Sequence, residues 1–599
     1  MFSAAIVMNS TEDIPCSQSS VNKQPNIPIK TTFKLPITYL NTNDVYELSP
    51  IIANDLELSN ESELPCMYKY LFKPNHEFAM DMIPYWKTHY TTNSDFLSET
   101  SNTINNLDKY ISNKQSNTYK LDCSKITQIW NDIKHDKYFV TKYNYLDWEP
   151  ISYLNENSSF LQCVTVVQVL SPVISFIIPF LFIIFPFILL KIQGIPISLN
   201  IYIKTLKTIA KHHFIGKALH NLDSFGWDKL VYLVFIICIY VFQIYQNFAL
   251  CKRFYHNVVK MNHDLLELQS YVDYSIHSME SFDILIENNN TYYDFHLDLQ
   301  TNISKLYNLK NALINMNDFS NSFTKFNEVG YMLKCYYLLY SNADYDNCLR
   351  YSVGFEGYMN NILGIYKNIN DGIVSYSKFN KDNVCVFKQQ YYPAINENDS
   401  IKNNCSFDYN MIISAPNKSG KTTFLKTTAL NIVFTQQTGC GFYNSATLTP
   451  YTHIHSYLNI PDTSGRDSLF QAESRRCKEI IDSINTFSDS KYRHFCLFDE
   501  LYSGTNPDEA SKSGYAFLKY LQSFSNVNFI LTTHYISICK KFKKSNKTKN
   551  YKMDVSILPD GTFNYTYQIK KGISKIKGGV RVLKDMEYPD EIINMIETK

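Results

Sequence analysis

"MIISAPNKSGKTTFLKTTAL", Met411–Leu430, is the stretch on which the reading of this chain turns. "NMIIS", ending at Ser414, has the apolar run of a short buried strand, and "GKTTFLKTTALNIV" begins a helix with Gly420 at its tight start. Ala415, Pro416, Asn417, Lys418 and Ser419 form the loop between them. A helix N-terminus carries unsatisfied N–H groups and the positive end of the helix dipole, which together favour an anion. In this arrangement the loop and the first helical residues, through Thr423, cradle phosphates. Lys421 reaches the β- and γ-phosphates of ATP, and Thr422 offers its hydroxyl to Mg²⁺. Ala415 stands where the first loop glycine is expected, and its methyl group is tolerated provided the position does not need a positive φ.

The downstream sequence supplies the remaining chemistry. "HFCLFDEL", His494–Leu501, is an apolar strand ending in two acids. Asp499 is placed to hold Mg²⁺, and Glu500 to polarise the attacking water as general base. "NFILTTHY" is a third strand that leaves His534 just past its end, where it can sense the γ-phosphate. Strands followed by helices in this order imply a parallel sheet with ligands at its carboxyl edge.

Composition sets the context. The chain has 599 residues and a net charge of +1, so it is no general electrostatic magnet for nucleic acid. Its fourteen cysteines include no CxxC pair, which argues for reduced thiols and against a zinc site or a disulfide framework. The N-terminus lacks a basic stretch followed by an apolar run, so no cleaved signal peptide is expected. The first ~120 residues are polar, with little sustained periodicity, and the N-terminal region 1–160, of unknown role, is expected to be partly disordered.

Two uncharged runs change the class. "LQCVTVVQVLSPVISFIIPFLFIIFPFILL" covers 161–190 and "LVYLVFIICIYVFQIYQNFALC" covers 230–251. Each exceeds the roughly 20 residues that cross a bilayer core, so residues 161–251 are expected to be a membrane region. Pro172, Pro179 and Pro186 make the first run either a kinked span or a re-entrant loop. Two full crossings place both termini on the cytosolic side with the ATP pool. The lysines of the connecting segment favour that same side by the positive-inside tendency, so the topology stays open. From 252 to 390 the pattern is helical. Leu265, Leu268, Val272, Ile276 and Met279 share one face, as do Leu299, Ile303, Leu306 and Leu313, with a turn at Glu287–Asn290. Residues 391–599 form the nucleotide-binding domain.

Taken together, these motifs resemble the MutS-type ATPases, a branch of the ABC-like P-loop proteins. "APNKSGKTTFLK" is similar to the family's phosphate loop, including Asn417. "TGCGFYNSA", "DSLFQAE", "DELYSGTNPDEA" and "TTHY" resemble its later motifs in order, and the resemblance extends from Tyr392 to Lys599. It implies an α/β P-loop ATPase domain at the C-terminus, preceded by a mainly helical lever. It further implies head-to-tail dimers, homo- or heteromeric, in which Ser468 contacts the partner's γ-phosphate, and an association with double-stranded DNA. No G-x-F-x-E mismatch-reading motif occurs in the first 160 residues. The alternative is an ATP-driven switch acting on a membrane partner.

Overall fold

A computed structural model describes residues 27–58, 66–114, 118–196, 198–210, 227–320, 322–395, 399–458, 460, 468–559, 562–576, 583–584 and 586–597. Its N-terminal two-thirds is largely helical, and its C-terminal third is built on sheets.

The two apolar runs lie on helices α1 (Ser158–Ile192) and α2 (Trp227–Ile286). They are antiparallel neighbours: Asn247 donates to the Ser175 hydroxyl (2.6 Å), and Cys251 faces the Val169 carbonyl. Their apolar side chains are uncovered, with Phe176, Phe180, Phe235 and Phe242 all more than half exposed. By length and composition both helices can cross a membrane. The sequence left a kinked span or a re-entrant loop open for the first run, and the structure has one helix. Two of its prolines have visible compensation. Pro172 removes the N–H that would bond Gln168, and the Ser171 hydroxyl donates to that carbonyl instead (2.9 Å). Pro179 likewise frees the Ser175 carbonyl, which accepts from the Tyr240 hydroxyl of α2 (2.5 Å).

Helix α2 does not end where its charges begin. The boundary expected at 251/252 falls inside it, because Lys252 and Arg253 stop the apolar run without stopping the helix. Its second half packs in a helical body with α3 (Tyr293–Leu313), α4 (Phe323–Ser341) and α5 (Ala343–Asn370). The two faces read from the spacing, Leu265 to Met279 and Leu299 to Leu313, are buried there, and the chain turns between Ile286 and Tyr293.

Residues 27–160, apart from the stretches outside the described residues, pack into this body. Short helices Pro50–Asp55, Tyr68–Phe72, Glu77–Trp86 and Ser94–Asn105 bury Leu56, Tyr68, Phe72 and Leu97. They dock on α5 at glycines: a Cβ on Gly364 would run into the Phe72 carbonyl, and one on Gly357 into that of Phe78. Residues 1–26 lie outside the described residues.

The C-terminal third has two sheets. The six-stranded sheet comprises β1 (Asn410–Ser414), β2 (His453–Tyr457), β3 (His494–Asp499), β4 (Val527–Thr533), β5 (Thr548–Ile557) and β6 (Phe563–Lys571), in the order β6-β5-β1-β4-β3-β2. Its pairs are parallel except β5 with β6. Helix α6 (Lys421–Thr438) follows β1, α7 (Leu469–Thr486) precedes β3, and α8 (Pro507–Leu521) follows it. A second, mixed five-stranded sheet includes Cys385–Gln390 and Asn403–Ser406 beside β1.

Candidate functional site

The register of the parallel sheet brings the candidate residues together. Ser414 pairs with Thr533 and Asp499 with Thr532, so the loop after β1, the acids closing β3 and His534 after β4 emerge at one carboxyl edge. Lys421, at the first turn of α6, is buried and donates to the Ala415 carbonyl (2.9 Å) and to Nδ1 of His534 (3.1 Å). An ammonium has only donors, so Nδ1 accepts and the proton sits on Nε2. Nε2 then donates to Glu500, 2.5 Å away, whose carboxylate also lies 3.6 Å from Lys421. The His534 bond, joined by the Lys421 charge, holds the Glu500 carboxyl below its ordinary range against the opposing effect of burial. Burial pushes Lys421 down, and Glu500 and Asp499 oppose this. Beside this cluster Thr422 donates to Asp499 (2.7 Å), and Thr532 donates to the other Asp499 oxygen.

Backbone geometry answers the question raised by Ala415. Lys418 (φ +62°) and Gly420 (φ +86°) are in the left-handed region, and Ala415 is not. Ala415 contributes its carbonyl to Lys421, for which a methyl side chain is no obstacle. Gly420 has the stricter requirement, since a Cβ there would also come within 3.0 Å of the Tyr567 ring.

The loop opens on a cavity of about 580 Å³ lined by Pro416 through Phe424 and by Glu500. Its far wall was not read from the sequence: Tyr391, Tyr392 and Ile395 before β1, Met553 on β5 and Tyr567 on β6. Asn403 fixes this wall by donating to the Tyr567 carbonyl (3.0 Å) and accepting from the Ile569 N–H (2.8 Å). No motif marks these residues; only the aromatic pair at 391–392 offered a signal.

Ser468 does not join the cluster. It is exposed and caps α7, accepting from the Gln471 N–H (3.3 Å) in a capping box. Asp467, quoted with the same motif, lies outside the described residues. Glu473, one helical turn on, was not singled out as a site residue. It is buried and accepts from Ser503 and from the Gly504 N–H (3.2 Å), tying α7 to the loop after Glu500.

Helix α6 is also gripped from its far side by the N-terminal segments. Lys426 donates to Glu57 (2.7 Å), Tyr68 to Gln437 (3.0 Å), and Gln437 to the carbonyls of Trp86 (2.6 Å) and His89 (2.8 Å).

The MutS domain V family matches residues 411–599. A DNA mismatch repair protein MutS of Persephonella marina is 28% identical over 212 residues, covering 34% of this chain and 24% of that protein. The MutS of Bacillus subtilis is 25% identical over 223 residues, covering 36% of this chain and 25% of its own length. The chain thus spans about a quarter of the length of the curated relatives it matches. Residues 411–599 thus match the MutS domain V family, and over that domain the chain is similar to MutS proteins.

Proposed function

We propose that this protein is a membrane-anchored ATPase that hydrolyses ATP at dimer-completed sites and passes the resulting movement through its helical body. The observation that carries the reading is the convergence of Lys421, Thr422, Asp499, Glu500 and His534 from three separated segments into one cluster, of which Lys421, Thr422 and Glu500 line a single cavity. A P-loop role follows from that convergence: the N–H groups at the start of α6 hold the phosphates, and the Tyr391, Tyr392 and Tyr567 wall takes the base.

The hydroxyl of Thr422 and the carboxylate of Asp499 are hard oxygen donors within hydrogen-bond distance of each other, a donor set that suits Mg²⁺. Bound there, Mg²⁺ would neutralise charge on the phosphates. Lys421 and His534 turn from Glu500 to the incoming γ-phosphate. Glu500, ionised and now released, orients the attacking water and accepts its proton. Ser468, exposed at the head of α7, is free to reach the site of a second copy, as the family motif implies. The antiparallel pairing of α1 and α2 supports a chain that returns to the face it left, and we assign that face to the cytosolic side, where the ATP pool is.

The family relationship favours a DNA-associated, mismatch-repair-like role. The alternative is an ATP-driven switch on a membrane partner without mismatch recognition, and the continuity of α2 from apolar run to helical body favours it. ATP turnover by the full chain in vesicles, with and without matched or mismatched duplex DNA, separates the two. The full chain is needed because Glu57, Tyr68, Trp86 and His89 hold α6. Turnover stimulated by DNA and abolished in Glu500→Gln supports the first reading. Turnover abolished in Glu500→Gln but indifferent to DNA supports the second. No turnover at any protein concentration refutes both.

A further inference from the structure

Where α1 and α2 leave the helical body they enclose, with α4, a cavity of about 260 Å³. Its walls are Val169 on α1, Cys251, Phe254 and Val258 on α2, and Phe326 and Val329 on α4. Phe254, Val258 and Val329 are buried, so the cavity reaches into the body instead of resting on its surface. Two hydrogen bonds lock its base: Gln162 donates to the Phe326 carbonyl (3.0 Å) and accepts from the Gly330 N–H (2.7 Å).

From these observations we infer that this cavity is a binding site for one acyl chain of an anionic membrane phospholipid. The inference rests on the membrane-anchoring reading above. Two features select the occupant. Val169, Cys251, Phe254 and Val258 on the cavity wall adjoin the uncovered apolar belt of the helix pair, where Val167, Leu170, Phe248 and Leu250 are exposed, so a lipid chain beside that belt has an apolar route inward along these side chains, with Thr165, Ser320 and Ser322 beside it. At the same level the charge changes sign for a lipid's other end. Lys252 and Arg253 follow Cys251 and are exposed, and Lys325 is the charged side chain on the cavity wall. Lys325 is already engaged with the Asn317 carbonyl (2.6 Å) and Glu328 (3.2 Å), so the headgroup falls to Lys252 and Arg253. Basic residues beside an apolar insertion are the arrangement that retains anionic lipids.

The test uses the full chain in phosphatidylcholine vesicles doped with a phosphatidylserine probe carrying a photoactivatable diazirine on its acyl chain. Adducts are mapped by peptide mass spectrometry. The expected result is labelling at 254–258 and 326–329 in addition to the belt at 234–250. Val329→Phe, which fills the cavity, removes the inner adducts and keeps those on the belt. A phosphatidylcholine probe of the same chain labels the inner positions about tenfold less, and the Lys252→Gln/Arg253→Gln double variant abolishes that preference. Belt labelling without inner labelling overturns the site and leaves membrane anchoring intact. Absence of adducts everywhere overturns both. Equal inner labelling by the two probes overturns the anionic assignment.

Discussion

Ala415 and Gly420 divide the work of the proposed nucleotide loop, and the division is testable residue by residue. Ala415 acts through its carbonyl, so Ala415→Gly should leave nucleotide affinity within about threefold, with only the ~0.5–1 kcal/mol that extra unfolded-chain freedom costs. Gly420 sits at φ +86° against Tyr567, so Gly420→Ala should cost about 1–2 kcal/mol of stability and weaken nucleotide binding at least tenfold. Thermal unfolding and titration with a fluorescent ATP analogue read the two quantities separately. At this scale the sequence was informative because phosphate chemistry demands particular residue types at fixed spacing. Lys421, Thr422, Asp499, Glu500 and His534 could be named from it. The base wall could not, since an aromatic or aliphatic surface is met by many residues, and Tyr567 arrives from the far side of the sheet.

Among the elements, α1 shows how three prolines coexist with a helix. The carbonyl freed by Pro179 accepts from the Tyr240 hydroxyl of the neighbouring helix. On the proposed membrane anchoring, Tyr240→Phe should therefore cost the helix pair ~0.5–1.5 kcal/mol, the worth of a hydrogen bond between membrane helices. In a Pro179→Ala background, where the backbone N–H returns, the same substitution should cost close to nothing. A double-mutant cycle of detergent melting temperatures measures that coupling, and equal losses in both backgrounds would refute the account. Long helices were legible because burial imposes a 3.6-residue repeat, and the Leu265–Met279 and Leu299–Leu313 faces are buried as the spacing requires. The packing of residues 27–160 was not. Its helices are short, and its partners are Gly357, Gly364 and Gln437, hundreds of residues away, so local pattern carries no trace of them.

For the molecule as a whole, the decisive element is α2: 60 residues in one helix, a rod of about 90 Å. Half of it is embedded in the helical body, and the apolar half is braced by α1. On the proposed membrane anchoring, the body therefore cannot swivel freely about the helix pair. This has a consequence for symmetry. Two identical bodies joined by self-complementary contacts are related by a two-fold axis. When both are fixed rigidly in one bilayer with the same side facing the cytosol, that axis must stand along the membrane normal. An axis lying in the membrane plane would put the anchors in two different bilayers. Vesicles bearing Glu500→Gln, in which nucleotide is held unhydrolysed, distinguish the cases. ATP should raise the number of paired copies within a vesicle without bringing vesicles together, as read by single-vesicle photobleaching and light scattering. ATP-driven vesicle clustering would place the axis in the plane instead, making the protein a bridge between two membranes.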